Sequence, residues 1–594
     1  MNTIEKRLEA LRENMRREKI DCYLIFTSDY HQSEYVDNAF KTREFLSGFT
    51  GSAGWMAVTG SRAILWADGR YHVQAAEQLA GTTIELFKDG LPETPTIEEF
   101  LKEEITAGMT VACDGRTISA TYCNELLNAI SPGKFRTDID LFEKVWTQRP
   151  KMNANPVHEL PLLICGMERS EKIRNIRSKL KETGADAYVL TDLSAVMWLF
   201  NLRGSDVTYN PVAFSYAYIS MMDAVLFVQD QALSDVLRLS LRSDGITCLP
   251  YGEFENYLSS LKSLTIALDP NACNSVICSI LQDGNSLLSV SDHDLIPKQI
   301  KNEAEIRLAK KYHEYDAVAM IRFIRYIKDT VAKEEITECE AAAYIDRLRS
   351  ENEGYVDLSF ETICAYGSNG AIIHYAPKED TCAVLKPEGF LLLDSGAQYR
   401  GATTDITRTI ALGPLKEEEK IHYTAVLKSM IALADAVFMK GCTGVNLDIL
   451  AREPIWRIGL DYRHGTGHGI GAFLNVHEGP QSFRIKILKD QIPPMIVPGM
   501  ITSDEPGIYI EGSHGIRIEN ELLCVEKLQN EWGEYYGFET LTLVPYEKDA
   551  IIREMLTQRE TEWINTYYRT VYEKISPYLT DEEKEWLKEA TDPV

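Results

Sequence analysis

The first 300 residues contain the same order of helix, strand, turn and strand twice, at a nearly constant offset. Apolar residues recur at helical spacing in each helical segment and form short runs in each strand-like segment. The matching segments are 3–19 with 170–183, 21–27 with 185–191, 45–52 with 198–205, and 63–67 with 224–228. We interpret them as two copies of one α/β unit, although short α/β stretches also resemble one another by chance.

Two boundaries divide the chain. Residues 149–161 contain Pro150, Pro156 and Pro161, which interrupt helices, and residues 292–300 precede an amphipathic segment. We therefore expect three domains, at residues 1–155, 156–300 and 301–594. In the third domain, long helices are predicted at residues 302–328 and 418–439 among strand-like segments. Its helical tail, from about residue 547 to 594, is either a dimer element or a pair of surface helices.

Acidic residues outnumber basic ones, with 89 Asp and Glu against 62 Lys and Arg and a net charge of −27. A surface this acidic repels phosphate backbones and anionic lipids, so we expect neither nucleic acid nor membrane as a partner. We find no apolar run near the ~18 residues of a membrane span, and residues 1–20 are too charged for a secretory signal. The twelve cysteines form no CxxC pair, and these features together predict a cytoplasmic protein with reduced thiols.

Two aspartates of the third domain lie in strand-like segments. Residues 390–399 (FLLLDSGAQY) predict a strand that ends in Asp394 and a Ser-Gly turn, and residues 403–409 (TTDITRT) predict a second strand around Asp405. Two strands of a hairpin this far apart can bring both carboxylates together. Either aspartate alone is also compatible with an ordinary turn residue.

Three histidines are concentrated in residues 464–478 (HGTGHGIGAFLNVHE), interleaved with four glycines. Glycine allows the backbone to approach a ligand closely. A lone histidine is most often structural, but this concentration favours a functional site.

Two further segments each present a glutamate. Glu505 in residues 502–509 (TSDEPGIY) directly precedes Pro-Gly, so its backbone is extended and its side chain has a fixed direction. In residues 515–522 (GIRIENEL), the alternation of apolar and polar residues predicts a strand with Arg517 and Glu519 on one face.

These segments together offer four carboxylates and one imidazole, from Asp394, Asp405, His468, Glu505 and Glu519. Four negative charges packed together would repel one another unless cations were bound. Two divalent cations would balance them and leave room for a shared hydroxide. Oxygen-rich ligation with one nitrogen favours Mn²⁺, Co²⁺ or Mg²⁺, and such a pair of metals is typical of hydrolytic sites.

With these motifs, the chain resembles the pita-bread metallopeptidases, and within them the three-domain aminopeptidase P group. The resemblance rests on DSGAQY, TTDITRT, HGTGHGIG with VHEGP, SDEPGIY and GIRIENE, and it covers essentially the whole chain. It implies an α/β (α+β) fold in which two creatinase-type α/β domains precede a pita-bread catalytic domain with an antiparallel sheet and covering helices.

The resemblance also implies a role for each site residue. Asp394 would bind one metal, His468 and Glu505 the other, and Asp405 and Glu519 would bridge both, with Mn²⁺ as the expected metal. Glu505 would also accept a proton as water becomes the bridging hydroxide. The expected substrate-binding residues are His374 (in AIIHYAP), which would also steady the oxyanion, His464, His477, Arg517 and, from the first domain, Arg70 (in ADGRY). Arg517 would act mainly by orienting an acidic neighbour and so help catalysis indirectly. His374, His477 and Glu505 are the expected catalytic residues.

The implied activity is release of the N-terminal residue from peptides with proline second, by a homodimer. A prolidase, which cleaves only X-Pro dipeptides, is the nearest alternative. Methionine aminopeptidase shares the metal ligands but lacks two such N-terminal units. A non-catalytic scaffold with the same fold is the remaining alternative, although such relatives usually lose metal ligands and all five are present here.

Overall fold

The computed structural model of the chain describes residues 3–487 and 492–594. It forms two compact units, one of Met1–Leu162 with Met167–Pro297 and the other of Leu163–Gly166 with Lys298–Val594. Within the described ranges, we find no helix that is both long enough and apolar enough to cross a bilayer.

The first unit contains two six-stranded mixed sheets. In spatial order, the strands of the first sheet are Glu85–Lys88, Ala63–Ala67, Trp55–Thr59, Cys22–Phe26, Thr110–Ala112 and Lys134–Arg136. Those of the second are Thr247–Pro250, Ala224–Val228, Ser215–Ser220, Ala187–Leu190, Thr265–Leu268 and Ser286–Ser289. In both sheets the third strand runs antiparallel to its two neighbours, the second and fourth strands, and every other neighbouring pair is parallel. This shared topology confirms the predicted repeat.

Helices cover both sheets, and many begin at a side chain that caps the first turn. Thr96, for example, forms a capping box with Glu99. Residues 45–52 and 198–205 each begin inside a short helix that the sequence did not predict. The helices are Thr3–Glu18, Thr42–Ser47, His72–Gln78, Ile97–Glu104, Ala120–Ala129, Phe142–Val145, Arg169–Thr183, Leu193–Leu199, Asp235–Ser243, Phe254–Ser260, Ser275–Gln282 and Asp292–Leu295, with Leu162–Cys165 at the division between the units. A two-stranded ribbon pairs His158–Glu159 with Leu202–Arg203.

The second unit contains small antiparallel sheets, as expected for its fold class. Two have three strands: Tyr355–Leu358, Ala397–Tyr399 and Ala402–Thr403, and Ile363–Tyr366, Phe390–Ser395 and Ile406–Ala411. A third contains Val437–Met439, Gly533–Thr540, Asn520–Asn530 and Ile501–Asp504. Two ribbons pair Gly467–His468 with Ser482–Phe483 and Gly507–Ile510 with His514–Arg517. The helices are Glu303–Thr330, Glu338–Ser350, Glu417–Ala434, Gly444–Trp456, Gln558–Ile575 and Asp581–Ala590.

Helix Glu303–Thr330 buries its predicted apolar face in the core of this unit, including Ala317 and Met320. The prediction of a helix through residue 439 was wrong. The helix ends at Ala434, and Val437 begins a strand that pairs with Gly533–Thr540. The β-branched and aromatic residues of that segment favour the strand, and the side chain of Val437 is exposed rather than directed to the core.

Candidate metal centre

Asp394 and Asp405 lie next to each other at one end of a strand pair. Strands Phe390–Ser395 and Ile406–Ala411 are antiparallel, with Ser395 opposite Ile406. Asp394 is therefore near the end of the first strand, and Asp405 directly precedes the second. Both side chains are buried. The predicted hairpin-like convergence of the two aspartates is present, although Asp405 is not itself in the strand.

Asp405 also lies next to His468 and Glu519. Each of the three offers one potential ligand atom, and these atoms lie within 4.8 Å of one another. His468 is on a two-residue strand whose partner is Ser482–Phe483. Glu519 is held at the site by Thr407, whose hydroxyl donates to Glu519 Oε2 at 2.8 Å.

The predicted strand through Glu519 is shorter than expected. It ends at Arg517, and Ile518 and Glu519 link it to the next strand, which begins at Asn520. The two side chains still converge, because Arg517 Nε donates to Thr407 Oγ1 at 3.1 Å and the same hydroxyl donates to Glu519. The side chains of Arg517 and Glu519 therefore stay together, although Arg517 belongs to the strand and Glu519 to the link that follows it.

Glu505 and Asp394 complete the cluster from two other sides. Glu505 lies between strands Ile501–Asp504 and Gly507–Ile510, and its Oε1 is 3.4 Å from His468 Nε2. Asp394 Oδ2 accepts a hydrogen bond from Arg517 Nη2 at 2.5 Å. The five residues predicted as ligands therefore surround one buried region.

The carboxylates in this region repel one another strongly. Burial, followed by the charge of Glu519, raises the pKa of Asp405 well above its usual value. Burial and the charges of Glu505 and Asp394 do the same for the pKa of Glu519. Burial raises the pKa of Glu505 to about 7, while the positive charge of Arg517 opposes the rise. Like charges in a desolvated site have this effect when no cation compensates them.

Two carboxylate oxygens of the cluster are available for a cation. Among the described residues, Asp394 Oδ1 and Asp405 Oδ1 are buried and accept no hydrogen bond. Buried polar atoms are nearly always satisfied, so such atoms point to a ligand. Oxygen donors with one imidazole nitrogen fit hard or borderline divalent cations.

A chain of hydrogen bonds connects the cluster to His464. Tyr509 hydroxyl lies 2.9 Å from His464 Nε2 and accepts from Arg517 Nη1 at 2.8 Å. Arg517 in turn holds Asp394. Tyr509 was not predicted as a site residue, although it lies two residues beyond the Glu-Pro-Gly turn with alternating side-chain directions.

The two other predicted histidines lie on different segments. The His477 ring is 4.3 Å from the His468 ring, nearly perpendicular to it. His374 lies in a turn after the 3₁₀ helix Gly367–Ala371, and the carbonyl of the preceding Ile373 accepts from Arg517 Nη2 at 3.5 Å. Their substrate-binding roles stay predictions. Arg70 belongs to the other unit, where its guanidinium forms a bidentate pair with Asp68, and its role also stays a prediction.

Buried polar residues that the sequence analysis missed hold the Asp405 side of the site. Glu521 Oε1 accepts from the backbone N–H of Asp405 at 2.8 Å. The other oxygen of Glu521 is 3.0 Å from Nε2 of His313, which lies on helix Glu303–Thr330. Burial would lower the pKa of His313, but the charge of Glu521 raises it above its usual value.

The Asp394 side has an equivalent support. Arg349 donates to both oxygens of Asp316, at 2.8 and 2.9 Å, and to the carbonyl of Ser395 at 3.2 Å. Thr404 hydroxyl donates to Asp316 at 3.1 Å. The only sequence signal for this network was the presence of His and Asp on the inner side of an amphipathic helix.

Family-model matches together span most of the chain. Residues 7–150 and 148–305 each match a model of the creatinase/prolidase N-terminal domain. Residues 307–526 match the model of metallopeptidase family M24, and residues 534–594 match the C-terminal region of peptidase M24. The chain is also 38% identical over 614 residues to a probable Xaa-Pro aminopeptidase P of Coprinopsis cinerea, covering 99% of this chain and 98% of that relative.

The chain belongs to metallopeptidase family M24. Its fold is therefore the predicted one, with creatinase-type N-terminal domains and a pita-bread catalytic domain. This M24 chain also resembles the X-prolyl aminopeptidase of Caenorhabditis elegans, which is described as a cytosolic enzyme with a di-nuclear active site. The TM-score is 0.94 at 33% identity, with 100% of both chains covered. The Xaa-Pro dipeptidase of Bacillus anthracis reaches a TM-score of 0.51 at 26% identity and covers 64% of this M24 chain.

Proposed function

We propose that this M24 chain is an aminopeptidase that removes the N-terminal residue from peptides with proline in the second position. The observation that carries the proposal is the convergence of Asp405, His468 and Glu519 within 4.8 Å, with Glu505 and Asp394 beside them. The full-length similarity to proteins named as Xaa-Pro and X-prolyl aminopeptidases supports the substrate class.

We assign two divalent cations to this cluster, with Mn²⁺ as the proposed metal. Asp394 would hold one, His468 and Glu505 the other, and Asp405 and Glu519 both. When bound, the cations would polarise the scissile carbonyl and lower the pKa of water enough to supply a nucleophile at neutral pH. The unsatisfied oxygens of Asp394 and Asp405 support this assignment.

The residues around the cluster would each have a different role in the reaction. Glu505, at an oxygen of its carboxylate, would accept the proton that the attacking water loses. His374 would donate to the oxygen of the scissile carbonyl as negative charge develops on it. His477 and His464 would contact the substrate, with Tyr509 fixing the ring of His464 through the 2.9 Å contact. Arg517 would orient Asp394 rather than touch the reacting atoms.

Proline explains why a dedicated site is needed. The bond before proline is a tertiary amide without an N–H, and its ring fixes the backbone angle φ. A protease that recognises that N–H loses a contact at such a bond. A site that holds the free amino terminus, the scissile carbonyl and the ring does not depend on it.

The organisation of the protein is part of the proposal. We propose domains at residues 1–155, 156–300 and 301–594, a homodimeric assembly and a cytoplasmic location. The family-model boundaries support the domains, and the location is supported by the description of the C. elegans protein as cytosolic. Light scattering during gel filtration measures the assembly, and a mass of one chain would reject the dimer.

The deciding experiment compares cleavage of an Arg-Pro-Pro peptide with cleavage of an X-Pro dipeptide. We expect release of arginine from the longer peptide, dependent on Mn²⁺ after chelation. Cleavage of the dipeptide alone would make the chain a prolidase. Asp405→Asn should abolish the activity, whereas Asp435→Asn, on the surface beside Arg559, should leave it unchanged. An active Asp405→Asn variant would reject the metal site, and cleavage of neither substrate by the Mn²⁺-loaded protein would reject the function.

A further inference from the structure

A single buried carboxylate fixes the segment of chain that carries His374. Glu338 is 0% exposed. Its Oε1 accepts from the backbone N–H of Tyr366 at 2.6 Å and from Asn369 Nδ2 at 2.9 Å. Its Oε2 accepts from the Tyr375 hydroxyl and from the backbone N–H of Ala383, both at 2.7 Å. One side chain thus binds the beginning, middle and end of residues 366–383.

The surrounding contacts reinforce this attachment. The backbone N–H of Glu338 donates to the carbonyl of Ala383 at 3.0 Å. Asn369 Nδ2 also donates to the Tyr375 hydroxyl at 3.0 Å. Glu338 is the first residue of helix Glu338–Ser350, where a negative charge is favourable. The carboxylate is therefore held in place by its own helix while it holds the segment.

The segment has little regular structure of its own. Within the described residues 372–383, none lies in a helix or a strand, and most are half-buried or exposed. A loop of this kind has few buried apolar contacts to fix it. The Tyr375 ring packs against a small apolar cluster that includes Leu392, and the polar contacts at the base of the segment converge on Glu338.

His374 lies directly beside one of these attachment points. Tyr375 is its neighbour in the chain, and the carbonyl of Ile373, on its other side, accepts from Arg517. Both neighbours of His374 are thus tied: the Tyr375 hydroxyl binds Glu338, and the Ile373 carbonyl binds the guanidinium that also holds Asp394. Small displacements of a catalytic side chain carry large rate penalties.

We infer that Glu338 is a positioning residue for His374, acting through the Tyr375 hydroxyl, and this role rests on the proposed function. Hydrogen bonds to a carboxylate are stronger than those between neutral groups. Glutamine in place of Glu338 would direct its NH₂ toward donors, either those on Oε1 or those on Oε2. The charge and the shape of Glu338 are both required.

Tyr375→Phe is the primary test, because it removes one hydrogen bond and leaves Glu338 intact. We expect kcat/KM to fall by a factor of about ten, mainly through kcat, as loss of one charge-assisted hydrogen bond predicts. Glu338→Gln should lose more. Tyr366→Phe is the matched control, because its hydroxyl donates to the carbonyl of Glu388 rather than to Glu338. An unchanged kcat in Tyr375→Phe would overturn the inference.

A double-mutant cycle separates positioning of His374 from a general structural effect. In a His374→Ala background, Tyr375→Phe should change kcat/KM by less than about twofold, because its effect passes through the missing imidazole. A further loss as large as that in the wild type would show that Tyr375 acts elsewhere, and this outcome would reject the inference.

A spectroscopic readout makes the test independent of activity. The chain has 11 histidines, so the imidazole signal lost in His374→Ala identifies that residue in ¹³C-histidine-labelled protein. Tyr375→Phe should shift this signal and leave those of His422 and His514 in place. If the wild type cleaves no X-Pro peptide but the shift occurs, the proposed function fails and the attachment stands. An unshifted signal rejects the attachment whatever the activity.

Discussion

Arg517 and Asp394 form a buried ion pair, with guanidinium Nη2 2.5 Å from carboxylate Oδ2. The same guanidinium reaches Thr407 and Tyr509, so it fixes the direction of Asp394 and leaves Oδ1 for another partner. The planar guanidinium reaches these three acceptors from three separate nitrogens, whereas a lysine ammonium presents its three donors from a single nitrogen.

Arg517→Lys is therefore expected to weaken metal binding although it keeps the positive charge. Loss of a residue that orients a metal ligand typically costs about 10- to 100-fold in affinity. Titration of chelator-treated protein with Mn²⁺ in a calorimeter measures the change. Arg325→Lys, at a half-buried position of the same unit where the arginine contacts Asp329 and Glu582, is the control. Equal affinities in the wild type and Arg517→Lys would contradict the orienting role.

Asp405→Asn should have opposite effects on the metal-free and the Mn²⁺-loaded protein. Without metal, the change removes a buried charge that faces other carboxylates, and a gain of about 1–2 kcal/mol in unfolding free energy is expected. With saturating Mn²⁺, the wild type should become the more stable of the two, because only the folded wild type keeps the full ligand set. Urea unfolding of both proteins, with and without Mn²⁺, tests this. A metal-free variant less stable than the metal-free wild type would show that repulsion is not the dominant force in the cluster.

Removing one partner of the buried ion pair between Asp316 and Arg349 should destabilise the folded protein. Arg349 has 0% exposure, so Arg349→Met leaves Asp316 with an unpaired charge, and a loss of roughly 3–5 kcal/mol is expected. Asp316→Leu combined with Arg349→Met should recover part of that loss, because no buried charge remains. Denaturant unfolding gives both values. Equal destabilisation by the single and the double variant would mean that the contacts to Ser395 and Thr404, rather than the charge, account for the cost.

The ligands of the proposed site could be predicted from the sequence, but the residues that support them could not. The five proposed ligands were identified because each lies in a short motif whose residue types and local structure are readable together. Glu521, His313 and Asp316 were not, because their roles depend on strand and helix packing between distant parts of the chain, and the longest contact, His313 with Glu521, spans more than 200 positions. Val437 was misassigned for a related reason. The helical pattern before it continues in the sequence, and the strand that it pairs with, Gly533–Thr540, lies far away along the chain.

A histidine pair should make the stability of the second unit depend on pH. His422 Nδ1 and His514 Nε2 are 2.9 Å apart and buried, with Ser513 hydroxyl 2.9 Å from His514 Nδ1. Burial lowers the pKa of both imidazoles, and for His514 the charge of His422 lowers it further. Glu418 and Glu419 oppose the shift for both residues, and Lys416 adds to it for His514.

Because both pKa values are lowered in the folded protein, the protein should lose stability at acidic pH. Below about pH 6.5 the unfolded histidines take up protons more readily than the folded ones, so the unfolding free energy should decrease as the pH falls through that value. Above it the contribution is fully present. Urea unfolding between pH 7.5 and 5.5 should show a smaller decrease for His422→Asn/His514→Asn than for the wild type. His158→Asn, at an exposed position of the first unit, should keep the wild-type dependence. Parallel curves for the double variant and the wild type would contradict the assignment.

The proposed ligands extend along the chain from Asp394 to Glu519. Helix Glu303–Thr330, which carries His313, precedes them, and strand Asn520–Asn530, which carries Glu521, follows them. During synthesis the two N-terminal sheets can fold while the ribosome is still reading the remainder of the message. The acidic cluster, by contrast, cannot form until the chain has been made through Glu519 and its supporting residues. Metallation is therefore a late event in biogenesis, and the ions that the finished molecule acquires depend on the metal pool present at release.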